Sequence, residues 1–359
     1  MTALAVVIVA YRCAARLEGL AGALGDVVEH GDEVVVVDNC SRDGTAARAR
    51  ELGLRVLESD SNLGFGGGCR AGAAATTAPL VLFLNPDVRP QPGSFALLRR
   101  LADERPEWAA WQPAVMLGDG RINTSGGVLH YLGLSWAGQC GKPAGDLAEL
   151  PYEVPFASGA ALVVRRSAWD ELGGFDDSYF LYGEDLELGL RAWLTGHRVG
   201  VEPRARVVHE YEFDKGAAKW FLLERNRWRT LIALYPARLL LLLAPALAAA
   251  EVGLLFVAAR GGWLRAKLRA DLAVLVGLRQ SLRRRATLRA ATLIDAQTFA
   301  GLLSASLDSP YITGVPRALA AAQSAYLAVV QRVIRVPPAS PVNIAPSAGG
   351  DGSRRPETS

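Results

Sequence analysis

Four carboxylates stand at positions where an α/β chain can do chemistry: Asp38, Asp87 and the adjacent pair Glu184 and Asp185. Asp87 follows Val81-Leu82-Phe83-Leu84-Asn85-Pro86. Four apolar residues in a row read as a strand buried on both faces. Pro86 removes a backbone donor and disfavours helix at Asn85, so the run stops sharply. A carboxylate at the C-terminal lip of a buried parallel strand lies where open α/β sheets bind ligands. There Asp87 can hold a metal, and the metal a diphosphate. The plainer reading, a turn cap before Pro90, has equal standing on this stretch alone. Glu184 and Asp185 open a helix marked by Leu186, Leu190 and Trp193. The helix dipole favours acids at that end. A carboxylate held at a helix start beside Tyr179, Phe180 and Tyr182 also suits general-base work.

These groups need a frame. Residues 4–10 are continuously apolar, as a central strand requires. Helical spacing of Leu17, Leu20, Leu24 and Val28 follows over 13–28. Val34-Val35-Val36-Val37 predicts a second strand ending in Asp38, 54–57 a short third and 80–84 a fourth. Ser41 or Asp43 is placed to cap the helix after Asp38. Asn62-Leu63-Gly64-Phe65-Gly66-Gly67-Gly68 opens an Ala-rich helix through Ala75. Strand and helix alternate with short links, which argues a parallel sheet with right-handed crossovers. Asp38-Asn39 can be only a turn, and the glycines can serve only close helix–sheet packing. The run is not G-x-G-x-x-G in the first βα turn, so it is a poor dinucleotide fingerprint. Asp38, the glycine loop and Asp87 nevertheless converge on one sheet edge. Together they suggest a nucleotide with its phosphates, facing a metal.

Beyond residue 108 the alternation lapses. Residues 109–116 read as a strand, and 117–150 as a Gly-rich, substrate-facing insertion carrying His130, Tyr131 and Trp136. Ser158-Gly159 turns into another strand, Ser167 is placed to cap a short helix, and Gly173-Gly174 ends it. With 359 residues, half of them hydrophobic, the chain has room for a large domain and a smaller one. A net charge of +3 argues no nucleic-acid partner, and no such motif occurs. Cys13, Cys40, Cys69 and Cys140 form no CxxC pair and read as free thiols in a reducing compartment. The N-terminal residues lack a basic n-region and read as a first strand, not a signal peptide.

Five blocks, in order over roughly the first 235 residues, resemble the family 2 glycosyltransferases, most closely their bacterial rhamnosyltransferase-like branch. They are Val7-Ile8-Val9-Ala10-Tyr11; Val37-Asp38-Asn39-Cys40-Ser41-Arg42-Asp43-Gly44-Thr45; Asn62-Leu63-Gly64-Phe65; Asn85-Pro86-Asp87; and Gly174-Phe175-Asp176 through Tyr182-Gly183-Glu184-Asp185. The resemblance implies a GT-A fold: a Rossmann-like, mostly parallel sheet with flanking helices. It implies inverting transfer from a nucleoside-diphosphate sugar, dTDP-rhamnose favoured, to a lipid-linked or cell-envelope glycan acceptor. By position, Asp38 would read a pyrimidine base through its N3–H, with Tyr11 lining the same pocket. Asn62, Gly64 and Asn85 would belong to the donor site. Asp87 would be the ligand for Mg²⁺ or Mn²⁺, and Asp185 the catalytic base with Glu184 beside it. His209 matches a histidine near the diphosphate; a core histidine is an equal reading. Two departures stand out. Cys69-Arg70 replaces a frequent Asn, with Arg70 either on phosphate or in solvent, and Asn85 replaces the first acid of the DxD. A sugar nucleotidyltransferase would need a Gly-rich loop after the first strand, where Tyr11-Arg12-Cys13-Ala14 stands. An inactive carbohydrate-binding or scaffold protein is the other alternative, and intact Asp38, Asp87 and Asp185 argue against it.

Residues 215–235 predict an amphipathic helix with Arg225, Arg227, Arg229, Trp220 and Trp228, broken at Pro236. Residues 239–259 are apolar and long enough to span a bilayer, interrupted only by Pro245 and Glu251. A buried core helix is the plain reading; the neighbouring Arg and Trp clusters favour lipid. Basic flanks on both sides prefer the cytoplasm, which argues a bent hairpin or interfacial helix on the cytoplasmic membrane face. The expected division is a catalytic domain over 1–236, a membrane-association region over 237–336 and a disordered Pro/Ser/Gly-rich tail over 337–359.

Overall fold

The computed structural model describes residues 2–210, 217–307 and 316–334, so the expected tail lies outside the described residues. Every residue of β1 (Leu4–Ala10) is buried, because the strand is covered on both faces. After it come α1 (Leu17–Gly25), β2 (Glu33–Asp38), α2 (Thr45–Glu51), β3 (Arg55–Glu58), α3 (Gly64–Ala74) and β4 (Leu80–Leu84). β1 pairs in parallel with β2 and β4, and β2 with β3. β1 side chains divide by period two. Leu4, Val6, Ile8 and Ala10 join one core with Leu17, Leu20 and Leu24, while Val7 and Val9 join the other with Cys69 and Ala73. The glycines of α3 serve close packing as well as the loop: a Cβ at Gly72 would stand 2.2 Å from Val7 Cγ1.

β5 (Val88–Pro90), α4 (Ser94–Glu104) and β6 (Trp108–Met116) continue the chain. The insertion forms short strands β7 (Ile122–Thr124), β8 (Gly127–His130), β9 (Ser135–Ala137) and β10 (Tyr152–Glu153). β11 (Ala161–Arg165) then runs antiparallel between β4 and β6 and leads straight into α5 (Arg166–Leu172). The residue before α5 is an extended Arg165 and no side chain caps the helix, so Ser167 lies inside the first turn. Likewise α2 starts at a left-handed Gly44, and Asp43 instead accepts from the Thr45 hydroxyl and N–H. After α6 (Glu184–Leu194), β12 (Arg198–His209) completes the sheet order β10-β12-β6-β11-β4-β1-β2-β3, with β5 on β12 and β7 on β6.

α7 (Ala217–Leu234) and α8 (Ala237–Arg260) are parted by Pro236. Pro245 does not break α8; the chain turns at Gly261-Gly262 into α9 (Leu264–Val276), followed by α10 (Leu278–Ala290). α11 (Ala296–Gly301), β13 (Leu303–Ser304), which pairs with β8, and α12 (Arg317–Ile334) close the described chain. A third core joins Leu186 and Leu190 of α6 to Leu239, Leu243 and Leu247 of α8, so the helices after Pro236 share apolar packing with those before it.

Candidate active site

Strand register brings the first two carboxylates together. Ala10 pairs with Asp38 and Ile8 with Leu84, so Tyr11, Asp38 and the Asn85-Pro86-Asp87 turn leave three adjacent strands at the same lip. Asp38 is buried and accepts the Ser41 N–H at 3.2 Å. Tyr11 is exposed, with the Arg12 guanidinium 5.2 Å from its ring centre. Asn39, which sequence reasoning passed over, ties the lip to the glycine loop. Its Nδ2 donates to Asn62 Oδ1 at 3.1 Å and to the Gly64 carbonyl at 2.9 Å, while its Oδ1 accepts the Leu63 N–H. Asn62 Oδ1 also accepts the Gly64 N–H, so this side chain shapes the loop. Gly64 has φ +73°, and a Cβ there would stand 2.2 Å from the Phe180 carbonyl oxygen. Only glycine lets the loop come this close to the segment before α6.

Asp87 is held from two sides. Arg16 Nη1 lies 3.1 Å from Oδ2, and His209 Nε2 3.1 Å from Oδ1. His209 is buried, with Nδ1 3.4 Å from Asn123 Oδ1. Burial acts to raise the Asp87 carboxyl, but the His209 hydrogen bond and charge and the Arg16 charge outweigh it, and the group sits below its ordinary value. Among the described residues no three His, Cys, Asp or Glu side chains cluster as a metal cage. One carboxylate and one imidazole at this spacing fit a divalent ion that takes its remaining ligands from phosphate oxygens and water. Neither Arg16 nor Asn123 carried a sequence signal. His209 is buried, as a core histidine is, and its Nε2 faces Asp87.

The second carboxylate pair reaches the same lip through β11. Asn85 N–H donates to the Ala160 carbonyl, and Gly159 N–H donates to Asp185 Oδ2 at 3.0 Å. Leu186 N–H donates to Asp185 Oδ1 at 2.8 Å. Glu184 is buried and its Oε2 has no hydrogen-bond partner. Burial, then the charge of Asp185, pushes Glu184 up to about 8. Burial raises Asp185 as well, but its two backbone N–H donors favour its charged form. Burial thus raises both carboxyls, and only at Asp185 do backbone N–H donors from Gly159 and Leu186 act against it.

The loop before α6 holds non-glycine residues at positive φ, Phe180 at +63° and Tyr182 at +68°. Such residues persist only when neighbours over-determine them. α7 does so. Asn226 Nδ2 lies within hydrogen-bond distance of the carbonyls of Tyr179, Leu181 and Tyr182, at 2.6 Å from the last. Arg225 donates to the carbonyls of Ser178 and Tyr179, and Arg229 to that of Ser178. These arginines, expected to favour lipid, instead hold the loop before α6. Arg227 is buried in an ion network with Glu224, Glu251 and Lys267. Arg70 is exposed; its guanidinium donates to the Gly173 and Phe175 carbonyls and pairs with Asp177 at 3.5 Å.

A GT-A-type sheet with carboxylates on one lip defines the class, and comparison gives the family. The family model described as "Glycosyl transferase family 2" matches residues 5–173. An N-acetylglucosaminyl-diphospho-decaprenol L-rhamnosyltransferase of Mycobacterium tuberculosis is 32% identical over 312 residues, 80% of this chain and 94% of that protein. A pre-mycofactocin glycosyltransferase of the same organism is 30% identical over 186 residues, 50% of this chain and 38% of that one. The chain belongs to glycosyltransferase family 2 and is of the rhamnosyltransferase-like kind. Its fold is GT-A: a crystal structure of GalNAc-T7 with UDP, GalNAc and Mn²⁺ superposes with TM-score 0.56 at 17% identity, over 66% of this chain and 49% of that one.

Proposed function

We propose that the chain is an inverting, metal-assisted glycosyltransferase that moves L-rhamnose from dTDP-rhamnose to a lipid-linked acceptor at the cytoplasmic face of the membrane. The observation that carries this reading is the meeting of Asp87, with His209, and Asp185, with Gly159, on one sheet lip. The sugar and the lipid-linked acceptor follow the rhamnosyltransferase to which the chain is similar, and dTDP-rhamnose is the donor that the family resemblance favours.

In this reading Asp38 accepts the N3–H of the pyrimidine and Tyr11 covers the base. Asn62, held by Asn39, sets the loop so that Gly64 and Asn85 border the diphosphate. Asp87 and His209 would hold Mg²⁺ or Mn²⁺, whose charge offsets that of the leaving diphosphate. Arg16 adds a fixed cation beside it. Asp185 takes the proton of the acceptor hydroxyl as it attacks C1. One displacement inverts the anomeric centre, so no covalent nucleophile is required. The backbone N–H groups of Gly159 and Leu186 hold Asp185 for that role. Residues 1–236 would form the catalytic domain, and 237–336 would supply membrane association.

The test is transfer to a polyprenyl-diphosphate N-acetylglucosamine, with dTDP-rhamnose, UDP-glucose and UDP-galactofuranose supplied separately. A rhamnosylated product of inverted configuration, lost on adding EDTA, is expected. Preference for a UDP-sugar would overturn the donor, and retention of configuration the mechanism.

A further inference from the structure

We propose that the outward face of α9 and α10 docks on an anionic phospholipid bilayer, with α8 lying along the protein and not across the membrane. The proposal names the surface behind the membrane location given above and rests on that reading. Leu268, Leu272, Leu275, Leu282 and Ala286 recur at helical spacing on one face, with Val276 and Leu278 beside them. Leu272, Leu275 and Val276 are 62%, 68% and 80% exposed. Exposed apolar residues in such a row mark an interaction surface, not ordinary surface scatter.

Charge selects the partner. Between residues 260 and 289 the exposed charged residues are Arg260, Arg265, Arg269, Arg279, Arg283 and Arg289. The acids of α8 and α9 are paired with buried cations. Glu251 meets Arg227 and Lys267, and Asp271 meets Lys267 at 2.7 Å. The inward arginines of α10 are used too: Arg284 pairs with Glu187 and Arg285 donates to the Ile232 carbonyl. An apolar stripe whose exposed charges are all arginines, with half-buried Asp271 neutralised by Lys267, matches a negatively charged headgroup layer. Exposed Trp220, stacked at 4.8 Å on buried Trp263 beside the α8–α9 turn, supplies an amphipathic ring of the kind favoured at that depth.

α8 passes the length and apolarity test for a span. Its placement argues otherwise. Leu239, Leu243 and Leu247 sit in the third core, Glu251 is ion-paired to α7 and α9, and Ala258 packs on Trp263. Protein contacts therefore recur along one face of the helix from Leu239 to Ala258, and crossing would strip them. Leu241, Val252 and Phe256 remain outward and extend the apolar surface.

The test is flotation of the full chain with phosphatidylcholine vesicles, with and without phosphatidylglycerol, over a salt series. Binding is expected only with phosphatidylglycerol and should weaken with salt. Leu272→Asp/Leu275→Asp should abolish it. Arg279→Glu/Arg283→Glu should weaken it at least tenfold, since each arginine near the surface is worth roughly fivefold in partitioning. Arg279→Lys/Arg283→Lys should retain it. All variants should transfer sugar to a short-chain, water-soluble acceptor as wild type does. Flotation of the Asp variants at the wild-type level would overturn this surface while leaving the membrane location standing. Flotation of no chain would overturn both. A wild-type dimer without lipid that these substitutions dissociate would assign the face to a second copy of the chain.

Discussion

Asp87 shares its two oxygens between an arginine and a histidine, 3.1 Å from each. If these groups hold the metal, Asp87→Asn should remove the Mn²⁺ dependence of dTDP binding in calorimetric titration; an unchanged dependence would place the metal elsewhere. Glu184 has the opposite character, a buried acid whose Oε2 has no partner, raised from 4.5 to about 8. The unfolded chain ionises it near 4.5 and the folded chain only near 8. Its stabilising contribution is thus whole below about 4.5 and is lost as pH rises through about 8. Glu184→Gln cannot ionise, so its melting temperature should gain on wild type steadily across that window, with transfer retained. Parallel melting curves would contradict a proton held on Glu184.

At the scale of elements, α7 joins what the loop needs to what the outer helices offer. One side holds the carbonyls of 178–182 through Arg225, Asn226 and Arg229. The other enters the network in which Lys267, fully buried, meets Glu224, Glu251 and Asp271. Removing one member of a buried ion cluster strands its partners. Lys267→Met should therefore cost about 3–5 kcal/mol, whereas exposed Arg265→Ala should stay within about 0.5 kcal/mol. Urea unfolding of both variants checks this, and equal midpoints would mean that the network does not bind α9 to α7. The sequence shows the arginines of this region but not their faces, because the carbonyls of 178–179 and Glu251 that they meet lie far away in the chain.

Across the whole molecule, what was legible follows burial. β1, β2 and β4 are covered on both faces and so read as unbroken apolar runs. Their ends, Tyr11, Asp38 and Asp87, could be placed on one lip from strand order alone. The insertion was not legible in detail, since β7, β8 and β9 are three or four residues long and alternate weakly. The supporting contacts were not legible either. Arg16 is 71 residues from Asp87, His209 is 122 from it, and Asn226 reaches back 44 residues to Tyr182. Such pairings are set by topology, and no local pattern carries them. In the proposed reading the fold divides labour accordingly: strands before residue 90 would present the donor side, while the turn before β11 and the start of α6 would bring the base to it.

That division is tested most directly by Asp185→Asn, assayed for both sugar transfer and dTDP binding in one preparation. The substitution keeps the side-chain shape and lies outside the Asp38–Asp87 side of the lip. If Asp185 is the base, dTDP should bind with wild-type affinity while transfer falls by ~10²–10⁴-fold, the usual worth of a positioned general base. Transfer at the wild-type rate with unchanged binding would contradict it.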